Sequence, residues 1–234
     1  MLKIENHEVL GWKHAIRGMR NPMNSWEQSD SKFPWEPIGE PETVRDFWPT
    51  LGLTIGPNDL DLMQKLRNAG TDHRKYMRMI TVYFDTTAPL YWWKEFDTYK
   101  VGTVANSCST MHKIHAKEFA MEDFSCEHLI RDEPIPRSVS SPYQVFAQII
   151  HYLNLCRDMF LTTNDKKWWW QMIQLLPSSY NQKRTVMLNY EVLANIYKSR
   201  RNHKLDEWHT LCDWIEELPV SELITGHGCA IGTD

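Results

Sequence analysis

Residues Ala88 to Lys117 read APLYWWKEFDTYKVGTVANSCSTMHKIHAK, and the fold of the whole chain turns on how this stretch is placed. It follows the best strand candidate, Met77 to Asp85, in which Met79, Thr81 and Tyr83 point one way and Ile80, Val82 and Phe84 the other. Apolar side chains on both faces predict a central strand. Thr86-Thr87-Ala88-Pro89 is expected to break it, and Leu90 to Tyr99 to be helical. The second half is a polar run, Asn106, Ser107, Cys108, Ser109 and Thr110, followed by His112, Lys113 and His115. Such groups beside four large aromatics either face water or converge on a ligand, since each one buried unpaired costs about 1 to 3 kcal/mol. We read the stretch as a ligand site, with a solvated helix on an aromatic back as the plain alternative.

On its N-terminal side, Pro57 and Asn58 start a predicted helix with Asp59 and Asp61 in its first turn, where the dipole favours acids, and with Leu60, Met63 and Leu66 on one face. It should end near Ala69-Gly70, and Asp72-His73-Arg74-Lys75 forms a charged entry to the strand. Further back, residues 24–56 carry Pro34, Pro37, Pro41 and Pro49 with Trp26, Trp35 and Trp48, the pattern of a long ordered loop or lid. Lys3 to Leu10 reads as an opening strand and Trp12 to Met19 as a short helix. Arg17 and Arg20 flank Gly18 at the end of that helix, an arrangement suited to gripping a phosphate or carboxylate.

On its C-terminal side lies a polar loop with Pro134, Pro136 and Pro142. Tyr143 to Phe160 is then predicted to be a long amphipathic helix with Phe146, Ile149, Ile150, Leu153, Cys156 and Phe160 on one stripe, and His151 near that stripe reads as a core histidine. Trp168-Trp169-Trp170 cannot all face one core, so at least one is expected to meet a ligand or another subunit. Met187 to Arg201 is predicted to be helical, with Val186, Tyr190, Leu193, Ala194 and Tyr197 inward. A further helix places Leu205, Trp208, Leu211, Cys212 and Ile215 on one side, and residues 226–234 are expected to fray.

At 234 residues the chain suits one large domain. A net charge of −4 gives no basic field for a nucleic acid polymer, although a nucleotide monomer needs only a local basic pocket. Five cysteines without a CxxC spacing fit reduced thiols in a cytoplasmic protein better than a disulfide frame. No apolar run approaches the length of a membrane span. Walker-type and GxGxxG phosphate loops are absent. His112 and His115 lack a metal-spaced partner, and Ser109, His112 and Asp97 lack a nucleophile elbow. What survives is a basic, hydroxyl-rich pocket for an anionic, aromatic small molecule, with Lys100, Lys113, Arg200 and Arg201 for the anion and the tryptophans and Tyr99 as the stacking face.

The order of features resembles the flavin-dependent thymidylate synthases, the ThyX family, over much of the chain. Ala15-Ile16-Arg17 is similar to the family's early Ala-x-Arg, and a helix ending in Ala69-Gly70 precedes a strand as it does there. Asn106 and Ser109 match the Asn and Ser of the family signature; the same counting sets Tyr99, Lys100 and Val101 on its Arg-His-Arg, and Met111 and His112 on its Arg-Tyr. The late helix, turn and second helix look like Leu188 to Arg200 followed by Leu205-Asp206-Glu207-Trp208. The resemblance implies a single ThyX-like domain of the α/β (α+β) class, a mixed sheet flanked by helices with a long helical C-terminal half, assembled as a homotetramer. It implies FAD, deoxyuridine monophosphate and methylenetetrahydrofolate as ligands, with NADPH as reductant, and no enzyme nucleophile. Carried over, Arg200 and Ser109 take the catalytic places; His73, Lys100, Asn106 and His112 face the cofactor; Arg17, Tyr99, Lys113 and Arg201 face the nucleotide. Two further readings remain open: a non-catalytic, phage-type nucleotide-binding or regulatory protein on the same scaffold, and an interaction module built on Ser25 to Trp48.

Overall fold

The computed structural model describes residues 2–33 and 53–226. Most of the Pro- and Trp-rich stretch, including Trp35 and Trp48, and residues 227–234 of the tail therefore lie outside the described residues.

Four strands, β1 (Lys3–Leu10), β2 (Thr81–Pro89), β3 (Val104–Ser107) and β4 (Asn181–Asn189), form one antiparallel sheet in the order β1-β2-β4-β3. β2 is central, as its sequence predicts. Its boundaries differ from the sequence reading. Arg74–Met79 is a 3-10 turn, and the strand runs on through Thr86 and Ala88 to Pro89 instead of breaking there. The cause is alternation: Ile80, Val82, Phe84, Thr86 and Ala88 are all buried on one face, so the period of two continues past the threonines. On the other face Tyr83 is exposed and Thr81, Asp85 and Thr87 are half-buried. β4 corrects a second expectation, because Met187–Asn189 belong to a strand and the helix begins only at Tyr190. Its first half, NQKRT, has no apolar alternation to announce it.

The chain divides into two compact units, and each of the four strands contributes residues to both. Of the described residues, the first unit holds 2–3, 86–98 and 106–184. It contains α3 (Leu90–Phe96), α4 (Thr110–Lys113), α5 (Pro142–Thr163) and α6 (Lys166–Leu175). Ser141 and Gln144 close a capping box at the start of α5, Asn164 ends it in the left-handed region (φ 52°), and Asp165 caps α6. α5 and α6 pack as a hairpin over Ile114, Phe119, Phe124, Phe146, Ile150, Leu153, Cys156 and Met172. His151 is exposed, not the core residue its sequence suggested: one position past Ile150 it turns about 100° away from the stripe.

Of the described residues, the second unit holds 4–33, 53–85, 99–105 and 185–226, with α1 (Trp12–Arg20), α2 (Pro57–Asn68), α7 (Tyr190–Arg200), α8 (Asp206–Glu216) and α9 (Glu222–Thr225). Its core includes Trp12, Ile16, Met63, Met77, Leu193, Trp208 and Leu211. Gly11 opens α1 at φ 94°, and a Cβ there would lie 2.0 Å from the Met79 carbonyl oxygen, so only glycine lets these two backbones approach.

Arg20 and Asp59 are buried together in this unit. The Asp59 carboxylate accepts bonds from Arg20 Nε at 2.6 Å, Ser29 Oγ at 2.8 Å, Ser31 Oγ at 2.6 Å, Ser31 N at 3.0 Å and Asp30 N at 3.2 Å. The sequence reading offered Arg20 as half of a ligand grip. The carboxylate it grips is the protein's own; this bond ties the end of α1 to the start of α2, and those from Ser29, Asp30 and Ser31 tie in the segment between.

Candidate functional site

The quoted stretch separates into an aromatic half and a polar half with different fates. Pro89 leads into α3, whose first free N–H groups, Leu90 and Tyr91, donate to the carbonyls of Tyr180 and Ser178 at 3.0 and 2.9 Å. Trp92, Trp93 and Phe96 recur at helical spacing on one face and pack on each other with ring centroids 4.9 to 5.3 Å apart. Both tryptophans are fully buried. Trp93 donates its indole N–H to the Gln182 carbonyl at 3.0 Å. Arg184 lies 4.0 Å over the same ring and bonds Asp97 at 2.8 Å and Gln182 Oε1 at 3.0 Å. These tryptophans are core, which corrects the expectation that they form the stacking face of a ligand pocket.

The polar half stays at the surface. β3 is exposed throughout, Asn106 included. Beyond it Cys108 prolongs the pairing with β4, donating its N–H to the Lys183 carbonyl at 2.9 Å and accepting from the Gln182 amide at 2.8 Å. Ser109 then caps α4, its hydroxyl accepting from the His112 N–H at 3.0 Å. This turn and the chain after it form one wall of a cavity of about 370 Å³, lined by Cys108, Ser109, Lys113, Ile114, Lys117, Phe119 and Tyr180. Ile114 and Phe119 are buried and give it an apolar floor; two ammonium groups, a hydroxyl, a thiol and a phenol surround that floor.

The two lysines differ in a way that matters. Lys117 donates to Asp123, and that bond raises its pKa above the ordinary lysine value. The Lys113 ammonium has no hydrogen bond or ion pair to any of the described residues. Burial pushes the Tyr180 phenol above its usual value, so it stays protonated and able to donate. A cation without a counter-ion, beside a hydroxyl and a protonated phenol over an apolar floor, is suited to an anion that carries a flat apolar body.

In the other unit, Arg200 ends α7 and folds back over aromatic rings. Its Nε donates to the Tyr99 hydroxyl at 3.0 Å, and its guanidinium lies 4.7 Å from the Trp208 ring and 5.7 Å from Tyr99. Tyr99 and Trp208 meet edge to face at 6.1 Å, and His203 meets Trp208 at 6.2 Å. Arg201 points elsewhere. Its charge is met by Asp213 at 2.5 Å and Glu216 at 3.3 Å, and the bond to Asp213 raises its pKa. Arg17, His73 and Lys100 are exposed and bond to no other candidate residue.

Two groupings therefore emerge from the candidates: Tyr99 with Arg200, and Ser109 with His112 and Lys113. Sequence reasoning missed Cys108, Lys117 and Tyr180 as cavity walls. Tyr180 reaches the site through the pairing at the start of β4, the strand with the least legible pattern, so no local signal announces it.

No protein-family model matches the chain, and no curated protein matches it. Solved structures do. Thymidylate synthase X from Helicobacter pylori, crystallised with FAD and dUMP, superposes with a TM-score of 0.64 at 15% identity, covering 99% of this chain and 100% of that one. A second structure described as flavin-dependent thymidylate synthase ThyX from the same organism gives 0.61, covering 97% and 98%. The UMP/dUMP methylase PolB from Streptomyces cacaoi, bound with 5-Br UMP, gives 0.57 at 12% identity, covering 97% and 94%. At these identities the likeness is one of architecture: over its whole length, the chain has the fold of the flavin-dependent thymidylate synthases.

Proposed function

We propose that the chain is a divergent enzyme of the flavin-dependent thymidylate synthase type. It binds a uridylate such as dUMP and adds a methyl group to the pyrimidine, using methylenetetrahydrofolate as carbon donor and reduced FAD as hydride source. The observation that carries this reading is the unpaired Lys113 ammonium beside Ser109 in the cavity, since Ser109 matches the serine of the family signature and Lys113 follows directly on the signature-like run. In this reading Lys113 neutralises the nucleotide phosphate and the Ser109 and Tyr180 hydroxyls bond its oxygens. Arg200 matches the family's late arginine by sequence, and its planar guanidinium is already oriented by Tyr99 within its own unit.

By the resemblance, His73, Lys100, Asn106 and His112 would serve the flavin dinucleotide. Their side chains are exposed and unpartnered among the described residues, and they comprise one permanent cation, two imidazoles and an amide, His73 and Lys100 in the second unit and Asn106 and His112 in the first. FAD, when bound and reduced, supplies the hydride that completes the methyl group. Where the family signature has two arginines this set has one lysine. Charge-assisted bonds contribute about 1.5 to 3 kcal/mol each, so the flavin should be held roughly one to two decades less tightly than by two arginines. The purified protein is expected to carry little flavin, to take up added FAD with a flavin visible spectrum, and then to oxidise NADPH in a dUMP-dependent way.

One observation favours a second reading, a nucleotide-binding protein without the chemistry. The Arg200 guanidinium is engaged by Tyr99 and stacked on Trp208 within the chain. A protein that stays colourless at saturating FAD yet binds dUMP would establish this second reading and end the first.

A further inference from the structure

The stretch of chain that walls the cavity has little regular structure of its own to hold it. α4 is a single turn, too short to persist without outside support, and residues 114–120 belong to no helix or strand. Three side chains of the α5–α6 hairpin bond its backbone instead. Trp169, the middle member of the triple tryptophan on α6, donates its indole N–H to the Met111 carbonyl at 3.0 Å. Arg157 on α5, which also pairs with Asp158, donates its Nε–H to the His115 carbonyl at 3.1 Å. Asn154, three residues before Arg157 and so on the same side of α5, holds Phe119 from both directions: its amide donates to the Phe119 carbonyl at 2.9 Å, and its Oδ1 accepts from the Phe119 N–H at 2.8 Å.

The anchored carbonyls recur every four residues, at Met111, His115 and Phe119, and the two lysines of the cavity fall between them. Lys117 has a further tether in Asp123, whereas the Lys113 ammonium has none among the described residues. Lys113 therefore stands where its backbone puts it, and the nearest anchors lie two residues before it and two after. We propose that Trp169 and Arg157 are positioning residues for Lys113. They fix the chain on either side of the lysine, so that its backbone is already ordered when an anion enters the cavity and little further freedom is lost on binding.

The effect on a bound anion rests on the nucleotide reading above; the anchoring of the chain does not, and two measurements separate them. The first is hydrogen exchange without ligand, on the wild type, on Trp169→Phe, which keeps a ring and removes the indole N–H, and on Arg157→Met, which keeps the stem and removes the guanidinium. The amides of His112 and Ala116 bond to Ser109 Oγ at 3.0 Å and to the Lys113 carbonyl at 2.9 Å. They should exchange about tenfold faster in each variant, with the amides in the middle of α5 unchanged. Exchange unaltered at His112 and Ala116, or raised equally throughout the unit as a purely structural role requires, overturns the proposal. The second measurement is titration with dUMP. Each variant should weaken Kd about three- to tenfold, the range that one lost hydrogen bond covers. Combined with Lys113→Met, each should add less than about twofold, because an anchor acting through Lys113 has nothing to place once the ammonium is gone. Equal losses in both backgrounds overturn the proposal. A wild type that binds no dUMP ends the nucleotide reading and leaves the exchange rates to decide the anchors.

Discussion

Two basic side chains, Arg20 and Lys113, look alike in the sequence and are opposites in the structure. Arg20 is buried on the Asp59 carboxylate, which accepts four further bonds from Ser29, Asp30 and Ser31. Burial alone would push the Asp59 carboxyl up, but hydrogen bonds from Ser31, Ser29 and Arg20 outweigh it and hold the carboxyl below the usual range. Lys113 lines a cavity, and its ammonium bonds to nothing among the described residues. A charge whose bonding capacity is filled from within the chain stabilises the fold, and one left open beside a cavity is available to a ligand. The same contrast separates Arg201, countered by two carboxylates, from Lys113.

The comparison breaks first at Asp59. Replacing it with Asn leaves Arg20 buried without a counter-ion, which should cost about 3 to 5 kcal/mol in chemical denaturation. A loss below about 1 kcal/mol would show that the bonding network contributes little beyond packing.

Asp59 also shows where sequence reading stops. Its place in the first turn of α2 was legible, because acids favour helix N-termini. Its partners lie 28 to 39 residues away, across a stretch with no periodicity. The stripes of α5 and α8, the ending of α2 near Ala69-Gly70 and the central position of β2 were legible because periodicity and capping are local. β4 was not, since its polar first half gains its strand character from pairing. Trp92 and Trp93 were misjudged as stacking surface because composition reports aromatic area without reporting which way it faces. Of the cavity, Ser109 was readable from the signature-like spacing and Lys113 from the basic, hydroxyl-rich character of the stretch; Lys117 and Tyr180 enter only through tertiary contact.

A second carboxylate sharpens the comparison with a smaller effect. Glu191, largely buried, accepts from both Arg74, at 3.1 Å, and Arg78. Burial would raise its carboxyl, but the bonds from the two arginines hold it below the ordinary range. Glu191→Gln should cost about 1 to 3 kcal/mol. Because the folded-state values of Asp59 and Glu191 are both depressed, their stabilisation is complete above the ordinary carboxylate range near pH ~4 and is lost as pH falls through the lower folded-state values. The gap in melting temperature between wild type and either variant should therefore narrow from pH 6 toward pH 3. A gap that is constant or widening would contradict the assignment.

The smallest expected effect on stability accompanies the largest on binding. Lys113→Met should change stability by no more than about 0.5 kcal/mol, the usual range for a surface substitution. The most direct test of the account is calorimetric titration of dUMP into the wild-type protein and this variant, with melting temperatures recorded alongside. The account expects saturable binding by the wild type and at least a tenfold weaker Kd, about 1.4 kcal/mol, for Lys113→Met at an unchanged melting temperature. Equal affinity in the two proteins, or no binding by the wild type, would contradict it.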